Sequence, residues 1–354
     1  MLGVGSVFGL FVSILVFYYF LFSYFLLLAS GLSRSPQVFE SYRRIRNTAR
    51  YLLGNLADFE PERDAVAYDD MASLDKYILG RFSAVVAEVT DAFDNFQFFR
   101  ASQALLRFAS GDLSSFYLDI AKDRLYISDE GSLRRRSCQT VFRIIVEGMA
   151  KMMAPMLPHM AEDIWVNLPY SPESGAQSVF QDGWVTESYP EHRNDEWGLI
   201  LKLRGDVNKA IEVARTEKLV GSSLDCEVTV HAEDAATRAL LEEMLAGSGK
   251  NSGNEVDDLR YLTLTSQVKL CDSEGDATSG CGEATILAAA SESGCTIGIK
   301  KAGGTKCERC WMYTDDVGSF EHLAICGRCD DAVKSWKQRQ PKKEEKEEAV
   351  AVAK

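Results

Sequence analysis

The sequence has no G-x-x-x-x-G-K-[ST] phosphate loop and no G-x-G-x-x-G turn after a strand, which excludes the commonest nucleotide-binding signatures. It has only four histidines, and none stands near a nucleophile in a recognisable arrangement. Carboxylate pairs such as Glu162 and Asp163 fall on a helix surface with no partner motif, so no catalytic centre is legible. Positive charge is scarce: 39 Lys and Arg face 52 Asp and Glu, a net charge of -13. That excludes a general nucleic-acid coat and leaves room only for a local basic face. Charge of either sign is absent from the first 33 residues. No Lys or Arg precedes the apolar run at 8–28, so it does not read as a secretory signal or transit peptide. Its length approaches the ~20 residues that span a bilayer. As a span, the run would leave the rest of the chain on the cytoplasmic side, because Arg34, Arg43, Arg44 and Arg46 follow it. The alternative is a stretch foreign to the fold, as a truncated gene model would produce.

Against these absences stand nine cysteines, five of them scattered and four in two tight pairs. An odd count without a secretory signal fits a reducing compartment, where paired cysteines more often bind metal than form bridges. Cys307-x2-Cys310 and Cys326-x2-Cys329, fifteen residues apart, supply two thiolates from each short turn. The pattern predicts one tetrahedral, closed and therefore structural Zn2+ site; two disulfides or a redox pair are the alternatives. His322 is a substitute ligand in principle, and Gly327 is expected to ease the second turn. Lys306, Arg309, Trp311, Tyr313, Phe320 and Arg328 surround the pairs. Cations interleaved with aromatics suit single-stranded RNA, although Phe320 reads better as packing and Trp311 fits either role.

Hydrophobic periodicity predicts long amphipathic helices from Pro36 to Leu168: Ser41 to Leu53, one opening at Ser73, one stopping near Gly111, Leu113 to Leu125, and Arg134 to Met153. Pro155 and Pro158 break the chain before a short helix to Leu168. Such helices with short connections describe an antiparallel bundle. After a turn-rich connector and a helix from Asp195 to Leu219, the period changes. Strands are expected at Cys226 to His231, Tyr261 to Val268, Thr285 to Ala290 and Thr296 to Lys300, with a helix at Ala235 to Leu245. Loops at 247–253 and 272–282 read as mobile. The expected division is an apolar segment at 1–35, a helical bundle at 36–185, a small α+β domain at 186–302, a zinc finger at 303–333 and a charged tail at 334–354. The fold class is thus mainly α.

On the first bundle helix Arg43, Arg46 and Arg50 fall within about 60° at helical spacing. Such a stripe can track a phosphate backbone or form a solvated face paired with acids such as Glu40. The run Arg134 to Arg136 carries the same two readings.

These residues also carry a resemblance. The segment from Ser41 to Leu56, the run from Asp112 to Asp119 with Lys122 to Arg124, and Met153 to Met156 with His159 to Trp165 resemble the anticodon-binding domain of bacterial-type isoleucyl-tRNA synthetases. Cys307 to Trp311 and Cys326 to Cys329 resemble the zinc knuckle that ends those enzymes, whereas the valine relatives typically end in a coiled coil. The resemblance covers roughly Pro36 to Val333. It implies that the bundle and knuckle recognise the anticodon region of tRNA(Ile). It also implies that Cys307, Cys310, Cys326 and Cys329 are the metal ligands and that Trp311, Arg43, Arg46 and Arg50 are candidate RNA contacts. The His-Ile-Gly-His and Lys-Met-Ser-Lys-Ser motifs of the family do not occur, so ATP chemistry is expected only of a catalytic half that this sequence does not contain. DNA is not an expected partner, and a membrane is one only if the N-terminal run spans it. The expected compartment is the cytoplasm or an organelle. A free-standing, non-catalytic tRNA-binding protein, with or without a membrane anchor at 8–28, is the alternative. A DNA glycosylase with a similar finger is disfavoured because Leu2 stands where that family has its proline nucleophile.

Overall fold

The computed structural model describes residues 38–246 and 258–339. The apolar run at 8–28, the 247–253 loop and the end of the tail lie outside the described residues. Among the described residues no helix is long and apolar enough to cross a membrane.

The bundle opens with α1, helical over 38–54. Helix α2 (Ser73–Asp94) buries Leu74, Ile78, Phe82, Val85 and Val89, the face that its spacing predicts. Helix α3 (Phe98–Arg107) does not stop at Gly111. It runs through a π-helical stretch, Phe108–Tyr117, into α4 (Leu118–Tyr126). The wider π turn keeps the backbone bonded while re-aiming the chain, so Gly111 is not a terminator. Helix α5 (Leu133–Met153) is capped by Ser132, whose side chain accepts from the Arg135 amide, and is buried on most sides. Helix α6 (Pro158–Val166) starts on its proline, where the missing N–H costs nothing.

Inside the bundle, Asp75 on α2 receives both guanidinium branches of Arg124 at 2.6 Å, the Tyr117 hydroxyl at 2.6 Å and the Ser137 hydroxyl. Arg124 Nε donates to the Arg134 carbonyl, 2.9 Å. A fully buried charge pair is tolerated only when its hydrogen bonds are satisfied in this way.

Helix α7 (Asn194–Thr216) joins the bundle to the second unit. Trp197 is fully buried, stacks on Tyr77 of α2 and meets Phe116 edge-on. Further along α7, Asp206 accepts from the Glu292 amide, the Ser293 amide and the Ser293 hydroxyl, each at 2.9 Å. One apolar core therefore runs without interruption from Ile45 in α1 to Ile299 in the sheet.

The sheet has the order β2-β1-β4-β3, built from β1 (Cys226–Ala232), β2 (Gln267–Leu270), β3 (Thr285–Ile286) and β4 (Cys295–Lys301). Strand β1 is parallel to β2 and antiparallel to β4. Helix α8 (Ala235–Leu245) and the short α9 (Leu259–Thr263) lie on the β1–β2 crossover. Tyr261 to Val268 is thus not one strand. The Asp258 side chain accepts from the Arg260 amide and starts a helical turn, which Leu264 ends in the left-handed region. Thr285 to Ala290 likewise gives only a two-residue strand followed by a 3-10 turn, Ala288–Ala290. The 272–282 loop contains the short helix α10 (Glu274–Thr278). The knuckle follows as the hairpin β5 (Thr305–Lys306) and β6 (Tyr313–Thr314), then α11 (Gly327–Arg339). Residues 334–339, the start of the expected charged tail, continue this helix, and Arg339 reaches back to Asp129.

Candidate metal centre and nucleic-acid interface

The hairpin turns at the first cysteine pair, and α11 begins inside the second. The four sulfurs of Cys307, Cys310, Cys326 and Cys329 all lie within 4.8 Å of one another. Cys310 Sγ and Cys326 Sγ are 3.8 Å apart. A disulfide needs about 2.05 Å. A tetrahedron of zinc–sulfur bonds of about 2.3 Å has edges of about 3.8 Å. All nine cysteines are free. The Cys326 amide donates to Cys307 Sγ at 3.4 Å, which favours a thiolate. Hydrogen bonds with Cys310 and Cys329 draw the Cys326 thiol down to about 3, and those with Cys310 and Cys326 push Cys329 up. The residues present fit a closed, soft-ligand metal site.

His322 is not drawn toward the sulfurs. Its Nδ1 lies 2.7 Å from Asp330 Oδ1 and its Nε2 lies 2.8 Å from Lys337 Nζ, so both ring nitrogens are engaged. Gly327 has no positive φ, so it does not serve the turn by backbone freedom. A Cβ there would meet the Phe320 ring at 2.7 Å and Asp316 Oδ2 at 3.1 Å. The glycine admits that ring and lets Asp316 accept from its amide at 2.9 Å.

The two knuckle arginines do not face solvent as RNA-binding cations. Arg309 donates to the Ile127 carbonyl at 2.8 Å and the Tyr126 carbonyl at 3.2 Å, orphan acceptors at the end of α4. Arg328 donates to both carboxylate oxygens of Asp123, also on α4, and its guanidinium lies 5.2 Å from the Tyr261 ring centre. Burial opposes the Arg328 charge, but Asp123 more than restores it and raises its pKa. Each arginine immediately precedes the second cysteine of its pair, a regularity in the sequence that could have marked them as one device.

Arg134 to Arg136 also turn inward. Arg134 lies over Tyr261 at 5.1 Å, and Arg135 and Arg136 pair with Asp58 at 2.9 and 3.2 Å. They are structural ion pairs and present no basic face.

On α1 the arginine stripe is exposed. Arg43 pairs with Glu40 at 2.7 Å and Arg46 with Asp163 of α6 at 2.8 Å, while Arg50 has no ion pair among the described residues. Trp311 is 62% exposed with φ +66°, its amide held by the Cys307 carbonyl at 2.9 Å. Packing of the small domain therefore does not account for its ring.

Comparison with known proteins matches two segments of the chain. Residues 75–230 match the family described as the anticodon-binding domain of tRNA ligase, and residues 304–332 match the zinc finger found in FPG and IleRS. The chain is 50% identical over 306 residues to the isoleucine–tRNA ligase of Rippkaea orientalis and 48% identical over 304 residues to that of Crocosphaera subtropica, each match covering 84% of this chain and 30% of the relative. The isoleucine–tRNA ligase of Gloeobacter violaceus is 46% identical over 307 residues, covering 86% of this chain and 29% of the relative. The chain thus spans about 30% of the length of the curated relatives it matches. By its sequence matches, its bundle and its four-cysteine knuckle, the chain belongs to the isoleucyl-tRNA synthetase family and corresponds to a C-terminal part of such an enzyme.

Proposed function

We propose that this chain binds the anticodon region of tRNA(Ile), as the C-terminal, tRNA-binding portion of an isoleucine–tRNA ligase. The observation that carries the reading is Trp311, an exposed indole fixed beside a four-thiol cluster that two arginines fasten to an anticodon-binding bundle. Cys307, Cys310, Cys326 and Cys329 hold one zinc ion, which shapes the knuckle and does no chemistry on substrate. Arg43, Arg46 and Arg50 meet RNA phosphates from α1, and Trp311 stacks on a base. The chain itself does not activate isoleucine. ATP chemistry belongs to a catalytic half that carries the motifs absent here. A reducing compartment, cytoplasm or organelle, suits the free cysteines.

Titration of the purified chain with tRNA(Ile) across salt concentrations tests this. Expected are one zinc per chain and an affinity that falls steeply with salt, as counterion release requires. Equal affinity for a tRNA with an unrelated anticodon would refute the specificity.

A further inference from the structure

Helix α5, with 21 residues, is about 30 Å long and gives the bundle two distinct ends. Near its start Arg134 covers the Tyr261 ring that Arg328 of the knuckle also covers. Helix α2 runs parallel to α5, since Asp75 meets Ser137 and, further along both, Phe82 packs on Gly148. Helix α1 runs the opposite way. The Tyr51 and Phe142 rings are 6.1 Å apart, the Asn55 carbonyl accepts from Gln139 at 2.9 Å, and Asp58 pairs with Arg135. The first turn of α1, the end of α2 and the end of α5 therefore lie at the end of the bundle remote from the knuckle.

That end carries an apolar surface. At the α2–α3 corner Phe96 and Phe99 are 80% and 78% exposed, with Phe98 51% exposed beside them. Val38 and Phe39 are exposed on the first turn of α1. Phe96 also sits in a strained position. Its amide donates to the Phe93 carbonyl and the Gln97 amide to the Ala92 carbonyl at 2.7 Å, the paired bonds of a Schellman motif. The left-handed residue of that motif is ordinarily glycine, yet here a phenylalanine takes φ +56° and turns its ring mostly to solvent. The corner is well supported from below. Phe98 lies 5.8 Å from Phe93, which Trp184 meets edge-on at 5.6 Å, and Asp182 near Trp184 pairs with Lys151 of α5 at 2.5 Å. Strain without burial, on a firm base, marks a surface that something else covers.

Charge disfavours RNA as the cover. Arg100 is taken by Asp91 at 2.5 Å and Arg107 by Glu88 at 2.9 Å, so the cations that phosphates need are already paired. The direction of the chain favours another occupant. This chain corresponds to a C-terminal part of its relatives and covers about 30% of their length, so in those enzymes the larger portion precedes α1 and reaches the bundle at this end.

We infer that the end of the bundle centred on Phe96 and Phe99 is the docking face for the catalytic portion of an isoleucine–tRNA ligase. The rings bury against apolar groups of that portion and set it at a fixed distance from the knuckle. The inference rests on family membership and is independent of tRNA binding at the knuckle.

The test uses the full chain with p-benzoylphenylalanine in place of Phe99 or, on the knuckle, of the exposed Leu323. It is mixed with the portion of the Rippkaea orientalis enzyme that precedes the matched 30%, in a preparation that exchanges pyrophosphate. Irradiation captures weak as well as tight complexes. Cross-links into the catalytic portion are expected from position 99 and not from 323. The mixture is expected to charge tRNA(Ile) at least tenfold faster than the catalytic portion alone. Phe96→Gly with Phe99→Asp should abolish that gain, while the variant chain melts no lower and binds tRNA(Ile) as the parent does. No cross-link from position 99, or equal ones from both positions, would overturn the docking face. Loss of tRNA affinity in the variant would make the corner an RNA surface instead. A parent chain that binds no tRNA would sink the tRNA-binding reading, and the cross-links would still decide the docking face.

Discussion

Arg328 of the knuckle holds Asp123 of α4 through both guanidinium branches, with the second contact at 2.9 Å, and the same guanidinium covers the Tyr261 ring of α9. One side chain thus joins the metal knuckle, the bundle and the α+β unit. A planar fork that also stacks is not replaced by a lysine, which offers a single point charge. The finger has only a small apolar cluster, centred on Cys307, Cys326 and Cys329, so its position depends on such polar contacts more than on a shared core.

Asp123→Ala should therefore loosen the finger on the bundle without unfolding the bundle. It leaves the Arg328 charge half-buried and unmatched, at a cost of about 2 kcal/mol. Limited trypsin digestion reads this as faster cleavage at Lys300, Lys301 or Lys306, and unchanged cleavage would contradict the docking role.

Asp75 with Arg124 presents the opposite case, a pair wholly inside the bundle. Asp75→Ala strands a buried guanidinium and should cost about 3–5 kcal/mol in urea unfolding. Tyr117→Phe removes one hydroxyl donor from the same carboxylate and should cost about 1 kcal/mol. Similar losses from the two variants would mean that the network is not built around the charge pair.

Much of the bundle was legible because burial repeats at helical spacing, as in Leu74, Ile78, Phe82 and Val85. The four thiols were legible because metal geometry constrains spacing. What escaped was decided by longer-range contacts. Tyr261 to Val268 has strand-forming composition, yet a single carboxylate, Asp258, starts a helix there. Gly111 looked like a stop, but the π turn carries the helix past it. Arg309 and Arg328 looked like RNA contacts because a sequence shows charge and not direction; their acceptors lie some two hundred residues earlier.

Acid should weaken the joint between α5 and the segment after α1. Burial works against ionisation of Asp58, but Arg135, Gln139 and Arg136 outweigh it and hold its pKa below the ordinary carboxylate value. A lowered folded pKa contributes stability above the unfolded value, near 4, and that contribution is lost as pH falls through the folded value. Asp58→Asn should lower stability at pH 7 and flatten the decline below about pH 4, as measured by urea midpoints at each pH. An unchanged acid limb in the variant would assign the decline to other carboxylates.

Trp311 sets stability against binding in a single residue. Its φ of +66° suits glycine and strains an indole, and its ring is mostly in solvent. Trp311→Gly should therefore relieve about 1 kcal/mol of backbone strain and forfeit little buried area, although glycine returns part of that gain as unfolded-state entropy. The thermal midpoint of the zinc-loaded chain should stay level or rise. Base stacking on an exposed ring is worth about 1–3 kcal/mol, so affinity for tRNA(Ile) should fall about tenfold or more in the same variant. If the midpoint drops steeply and binding falls only in step with unfolding, Trp311 packs the knuckle. If stability is kept and binding is lost, the indole is retained for the RNA.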